Sequence, residues 1–407
     1  MNFVKKNVGA ITGLISLIII IASFVGIINA SENETLYIRD IQGDRSVLSD
    51  VIISGLLQDK YHGQNFTIDN HKISKKFKFY DEYSDIVAST MPSGGNTSFV
   101  GETMYYYNLE FEGSEVYASL NKRNENGDIG LVRVKTGVKS LSTIKNINTF
   151  INNHYTFIND QLFFTVHSGK TGSNGIFRVD EWGSWPNWEN ESQLGKTTKI
   201  TSFSLDEQDI EVLGLKNVND KLVLYMLIDN TLVFRAYDSK TGELIDEMQV
   251  EDIGKIDLSD TNQAFVNDNE LTVCFMNENN LIVSVSLLED LELNHIVKKL
   301  DLSEDEVKPN YISNAIEINN KLFVFCNQTE KSDNEILIDE LKTQHYIMYV
   351  YAITDRVGSE SKLLYKGEFM SDSDQDKEFF RQRDYDRKGY YFSYKIRTLE
   401  NIEIRGE

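Results

Sequence analysis

Apolar residues in this chain gather in short runs broken by Asn, Asp and Gly, and they do not recur at helical intervals. Residues 216–250, KNVNDKLVLYMLIDNTLVFRAYDSKTGELIDEMQV, show the pattern most fully. With residues 209–216 as a first strand, they read as a complete antiparallel meander of strands and tight turns. Asn219-Asp220 and Asp229-Asn230 tolerate left-handed backbone and can hydrogen-bond their own turns, and Gly242 relieves the third turn at no Cβ cost.

The same order of apolar residue, Asn-led turn and new apolar strand recurs along the chain. Clear copies lie at residues 158–162, 218–222, 266–271 and 318–322, and weaker ones at 68–73, 111–116 and 385–390, which makes seven. The first apolar residues after these turns are Ile73, Val116, Leu162, Leu222, Leu271, Leu322 and Tyr390, with gaps of 43, 46, 60, 49, 51 and 68. Gaps in the forties and fifties suit a four-stranded unit with ordinary loops. Residues 182–196, 330–343 and 371–383 supply the extra loop of the two longest gaps.

This repeat predicts an all-β chain, a β-propeller of seven four-stranded blades with the four leucines in equivalent positions. Ala236-Tyr237-Asp238-Ser239-Lys240-Thr241-Gly242 resembles the A-x-D-x-x-T-G turn of quinoprotein-type blades, although Asp246 stands where that pattern has Trp and the motif occurs once. The resemblance implies propeller architecture over roughly residues 35–407 and brings no quinone site with it. A β-sandwich pair or an irregular all-β domain is the alternative.

A chain of 407 residues exceeds most single domains, but a propeller grows by adding blades and needs no second domain. Residues 8–30 form an Ile-rich uncharged run of 23, preceded by Lys5 and Lys6, with no further basic residue until Arg39. At about 1.5 Å per residue such a helix spans the roughly 30 Å of bilayer hydrocarbon. The organisation expected is a cytoplasmic N-terminus at 1–7, a single transmembrane anchor at 8–30, and an extracytoplasmic domain at 31–407 in the cell membrane. A signal peptide cleaved after Ala30 is the alternative, though its apolar region would be unusually long.

Forty-one basic against 63 acidic residues leave a charge of −22, which makes nucleic acid a poor partner. Cys274 and Cys326, the only cysteines, alternate with large apolar residues and are expected as buried free thiols. Asn33, Asn65, Asn96, Asn190 and Asn327 each begin an N-x-[ST] triplet, as arises readily in an Asn-rich chain.

Candidate chemistry is sparse. Ser142-Thr143-Ile144-Lys145, Ser332-Asp333-Asn334 and the Lys-Thr-Gly triplets at 135–137, 170–172 and 240–242 imitate the motif set of penicillin-binding proteins in the wrong order. There is no nucleophile elbow, zinc spacing or P-loop and no cofactor motif, and the six histidines (62, 71, 154, 167, 295, 345) stand singly. Asp372, Asp374 and Asp376 begin a calcium-loop spacing that Lys377 and Arg383 interrupt, so a solvated acidic loop is the plainer reading. All three tryptophans, Trp182, Trp185 and Trp188, fall in the insertion WGSWPNW. Indoles at this spacing suit a sugar ring or a protein hot spot, or else form a satellite core under their own loop. The function expected is a non-enzymatic interaction module for a protein or cell-envelope partner. A hydrolase or lyase acting on envelope glycans is the alternative.

Overall fold

The Asn and Asp pairs do at the hairpin tips what their side chains permit. Asn159-Asp160, Asn219-Asp220, Asp229-Asn230 and Asn319-Asn320 all take φ between 48° and 65°, the paired left-handed conformation that matches strand twist in a two-residue loop. The turn of the blade-like motif is tied through Asp238. Its carboxylate accepts from the backbone N–H of Lys240 at 2.9 Å and of Thr241 at 2.7 Å, while Gly242 takes φ 72°.

The computed structural model describes residues 36–58, 62–70, 72–79, 97–100, 103–112, 115–123, 129–137, 154–167, 173–184, 195–203, 210–250, 261–267, 270–276, 281–287, 293–301, 309–329, 344–353, 362–371 and 398–406, with Ser16, Leu17, Ile19 and Ile20. In order these form β1 (Leu36–Gly43), a 3-10 helix (Arg45–Asp50), β2 (Val51–Gln58), β3 (His62–Asp69), β4 (Lys72–Phe79), β5 (Thr97–Val100), β6 (Thr103–Glu112), β7 (Glu115–Arg123) and β8 (Ile129–Lys135). Then come β9 (Tyr155–Ile158), β10 (Gln161–Val166), β11 (Gly175–Glu181), β12 (Gly183–Ser184), β13 (Lys196–Ser202), β14 (Ile210–Val218), β15 (Lys221–Ile228), β16 (Thr231–Asp238) and β17 (Leu244–Val250). The last are β18 (Thr261–Asn267), β19 (Glu270–Met276), β20 (Leu281–Leu287), β21 (Leu293–Asp301), β22 (Pro309–Ile318), β23 (Lys321–Thr329), β24 (Gln344–Ala352), β25 (Lys362–Ser371) and β26 (Thr398–Gly406).

These strands make six antiparallel sheets of four or five strands, and the architecture is that of a β-propeller. The first is β26-β2-β3-β4, the second β5-β6-β7-β8-β12, the third β9-β10-β11-β13, the fourth β14 to β17, the fifth β18 to β21, and the sixth β22-β23-β24-β25-β1. The expected meander is the fourth sheet. Leu162, Leu222, Leu271 and Leu322 are each the second residue of the second strand of their own sheet, and each is buried.

Six sheets are present among the described residues, and the turn pattern gives seven copies. The seventh copy, at 385–390, lies outside the described residues, and β26 beyond it starts no sheet of its own because it pairs with β2 and completes the first. One weaker copy is out of phase, since Ile73 follows the turn between β3 and β4, whereas Val116 is the buried second residue of β7 after the turn from β6.

Cores lie between sheets. Five clusters join second to third, third to fourth, fourth to fifth, fifth to sixth and sixth to first. This explains why β15, KLVLYMLI, is apolar without alternation. Leu222, Leu224 and Met226 face the third sheet, whereas Val223, Tyr225 and Leu227 face the fifth. Each fully buried side chain of this kind contributes roughly 1.5–3 kcal/mol. Cys274 and Cys326 are buried free thiols in the core between the fifth and sixth sheets, as expected.

The expected anchor at 8–30 lies largely outside the described residues. Ser16, Leu17, Ile19 and Ile20 are helical and exposed, and no helix among the described residues is long and apolar enough to cross a membrane.

Candidate functional site

The junction of the second and third sheets combines aromatic, basic and hydroxyl side chains, and the tryptophan insertion springs from it. The insertion has two fixed feet. After β11 the chain crosses to the edge of the second sheet, where Gly183 pairs with Leu131 of β8. On the return, the N–H of Gly195 donates to the carbonyl of the same Leu131 at 3.1 Å. Gly195 fits this place because a Cβ there would meet the Glu181 carbonyl at 2.3 Å and the Gly183 nitrogen at 2.6 Å.

Trp182 is half-buried at the first foot. Its ring centre lies 6.1 Å from that of Tyr105 on β6, and the Lys122 ammonium sits 4.7 Å from its face. Tyr105 in turn meets Phe157 edge-on at 5.4 Å and Tyr155 at 5.8 Å, both on β9. Trp182 is thus a packing residue of the core between the two sheets. Trp185 and Trp188 lie outside the described residues.

Beside this aromatic group, three sheets converge on His154. The hairpin of β9 and β10 fixes its place, because Tyr155 pairs with Phe164 and the Thr165 N–H donates to the His154 carbonyl at 2.9 Å. The Thr165 hydroxyl is 3.4 Å from His154 Nδ1. His167, two residues past Thr165, brings its ring centre within 4.9 Å of the His154 ring. Tyr107 from the second sheet stacks on His154 at 6.1 Å. From the fourth sheet, Lys216 on β14 acts on His154 electrostatically. Its neighbour Asn217 locks the two inner strands together, its side-chain amide donating to the Phe157 carbonyl at 2.8 Å and its backbone N–H to the Thr156 hydroxyl at 3.0 Å.

Burial, and then the nearby His167 and Lys216, hold the His154 imidazole well below its ordinary pKa. Burial alone lowers His167 to about 4 and Lys216 to about 8. At neutral pH both imidazoles are therefore neutral while Lys216 keeps most of its charge. His154 and Tyr107 are buried, and His167 and Lys216 are half-buried.

Sequence reading left these histidines as isolated residues, yet the signal was present. A two-residue turn at Asn159-Asp160 fixes the hairpin register and sets His154 opposite Thr165, with His167 on the same face. The other motifs resolve plainly. Thr136 of one Lys-Thr-Gly triplet is buried and donates its hydroxyl to the Val116 carbonyl at 2.6 Å, and Gly242 of another is in a hairpin turn. Residues 142–145, 170–172, 332–334 and the carboxylates Asp372, Asp374 and Asp376 lie outside the described residues. Among the described residues no three His, Cys, Asp or Glu side chains form a metal-binding group.

No family model and no curated protein matches the chain. Similar solved structures include the six-bladed propeller lectin of Aleuria aurantia, 10% identical over 79% of this chain and 96% of that one, at a TM-score of 0.32. A levansucrase of B. megaterium is 9% identical over 67% of this chain and 82% of that one, at 0.30. BamB from Moraxella catarrhalis is 11% identical over 67% and 78%, at 0.27. Such values carry nothing about activity, and the architecture rests on the sheets and cores of this chain itself.

Proposed function

We propose that the chain is a membrane-tethered, extracytoplasmic β-propeller that binds a protein or cell-envelope partner and performs no catalytic step. The tether is residues 8–30, whose 23 uncharged residues have the length to span a bilayer, with Lys5 and Lys6 on the inner side. We infer that the ring closes between the first and second sheets, because five core clusters join the other neighbours in order.

The footing of the tryptophan insertion carries the reading. Leu131 holds both feet of the insertion and Trp182 is committed to the core, and in the sequence Trp185 and Trp188 fall between those feet. A rigid scaffold holding a loop with two flat side chains, each with an N–H donor, suits a sugar ring or a protein hot spot. The test is to replace Trp185 and Trp188 with Ala and to measure melting temperature together with binding to a panel of envelope glycans and peptidoglycan fragments. Lost binding at unchanged melting supports contact. A large fall in melting temperature makes the rings structural, and robust turnover of any glycan, abolished by one loop carboxylate, replaces the binding module with an enzyme. Recovery from cells of a mature form beginning near Ser31 removes the tether.

A further inference from the structure

Two strands at the open edges of their sheets carry opposite charge at the same spacing. β4 ends the first sheet and β17 the fourth, and among the described residues no further strand pairs with either. β4 begins Lys72-Ile73-Ser74-Lys75-Lys76, and β17 with the residue before it reads Glu243-Leu244-Ile245-Asp246-Glu247. Lysines at the first, fourth and fifth places of one run thus match carboxylates at the first, fourth and fifth places of the other, and all six side chains are exposed. Leu244 and Ile245, between the carboxylates, are 52% and 50% exposed where a bulge opposite Ala236 and Tyr237 breaks the alternation of β17. In a chain of charge −22, β4 has no acidic residue at all.

Lysines on an edge strand ordinarily keep other strands away. Here they repel a second β4, as the carboxylates of β17 repel a second β17, and the one pairing that charge favours is between the two kinds of edge. We propose that β4 of one copy pairs in parallel with β17 of a second copy, with Lys72 beside Glu243, Ile73 beside Leu244, Lys75 beside Asp246 and Lys76 beside Glu247. An antiparallel pairing aligns at most two of the three charge pairs. Glu247 already accepts from Arg235 on its own sheet, and a carboxylate keeps acceptor sites for a second donor.

β4 and β17 are each the fourth strand outward of an antiparallel sheet, so they run the same way and parallel pairing sets every copy the same way up. The first and fourth sheets stand on opposite sides of the closed ring inferred above. The contact therefore does not close on a pair and extends as a row of copies. A single strand edge buries less than the roughly 1,200 Å² of a stable interface, so each contact is weak and sensitive to salt. Neither edge includes the tryptophan insertion or residues 8–30, and the rows stand or fall independently of partner binding and of the tether.

The test is sedimentation of the full-length protein in detergent at about 0.05 M and about 0.5 M salt. Concentration-dependent growth beyond a dimer is expected at the lower salt and should shrink at the higher. One variant combines Lys72→Glu with Lys75→Glu and another Glu243→Lys with Asp246→Lys, a choice that leaves Glu247 with Arg235. Each should weaken association roughly tenfold, since two attractive pairs become repulsive. Mixing the two variants makes their edges complementary again and should restore association. Melting temperatures are recorded alongside. Should either variant fail to fold, Lys75→Gln and Asp246→Asn, which each remove one pair, take its place and should weaken association less. Association that is absent at the lower salt, indifferent to the charge reversals, or not recovered on mixing overturns the pairing.

Discussion

The side-chain amide of Asn314 donates to the backbone carbonyl of Ile402 at 2.7 Å, joining the inner strand of the sixth sheet to the C-terminal strand that completes the first. The two residues are 88 positions apart, and the bond lies at the seam where the ends of the chain meet. Asn314→Ala removes it and leaves the carbonyl to water. A loss of about 1–2 kcal/mol is expected in denaturant unfolding, with the slope against denaturant unchanged.

Removal of β26 is a larger insult. Leu399, Ile402 and Ile404 are buried in the core between the sixth and first sheets, and β2 loses its inner neighbour along its whole length. A chain ending at residue 397 should expose an unpaired strand edge beside an opened apolar core. Size-exclusion chromatography should show it as soluble aggregate, with dye binding to the exposed surface. A monodisperse, fully folded truncation would mean that β26 contributes little.

Tyr225 is buried among Phe234, Val273 and their neighbours, and its hydroxyl has no hydrogen-bond partner among the described residues. Burial pushes its phenol pKa well up. Tyr225→Phe deletes a desolvated polar group and keeps the ring stacked on Phe234. The variant should be more stable by about 1 kcal/mol in thermal or chemical unfolding. Destabilisation would show that the hydroxyl has a partner.

The imidazoles of His154 and His167 make stability fall in mild acid. His167 titrates at about 4 in the fold and near its ordinary 6.5 when unfolded, so the unfolded chain holds the extra proton between these values. Stability from this residue is complete above 6.5 and is lost as pH falls towards 4. His154 is lowered for the same reason and acts in the same direction. Denaturant midpoints from pH 7 to pH 5 should decline by the equivalent of about 1–3 kcal/mol, and His167→Gln should flatten that slope.

Glu317 on β22 has the opposite sign. Burial first, and then the facing carboxylate of Glu270, raise it to about 8 from 4.5. The folded state keeps this proton where the unfolded chain has lost it, so its contribution is complete below 4.5 and is lost as pH rises through 8. Glu317→Gln should therefore be more stable than the parent at about pH 8 by about 1–3 kcal/mol and nearly equal to it at about pH 4. Comparing midpoints of the Glu317 and His167 variants separates the two slopes.

What sequence could show follows from what is local. A two-residue Asn or Asp turn announces a hairpin and its register, so the fourth sheet was legible almost to its ends, as was the shared place of Leu162, Leu222, Leu271 and Leu322. The same signature does not say which hairpin of a sheet it closes. Ile73 therefore entered the count out of phase. The pairing of β1 with β25 and of β2 with β26 leaves no local mark, since each strand is ordinary and its partner is more than 300 residues away, as the Arg39–Glu368 bond at separation 329 shows. The His154 group sits between these extremes. Its hairpin half, His154 with Thr165 and His167, follows from register, whereas Tyr107 and Lys216 arrive from other sheets.

That exchange of end strands has a consequence for how the protein is made. The fourth and fifth sheets each use one continuous segment, and the third a segment interrupted only by β12, so all three can be completed as the chain emerges from the ribosome. The first sheet opens with Val51 and is finished only when Gly406 has been synthesised, and β1 waits for β25 over nearly the whole of translation. For that interval β2 presents a bare edge carrying Val51, Ile53 and Leu57 to its surroundings. A strand made before β3 to β25 is thus among the last to become safe from its neighbours, and a polysome crowded with such chains is where a holding chaperone would have most to protect.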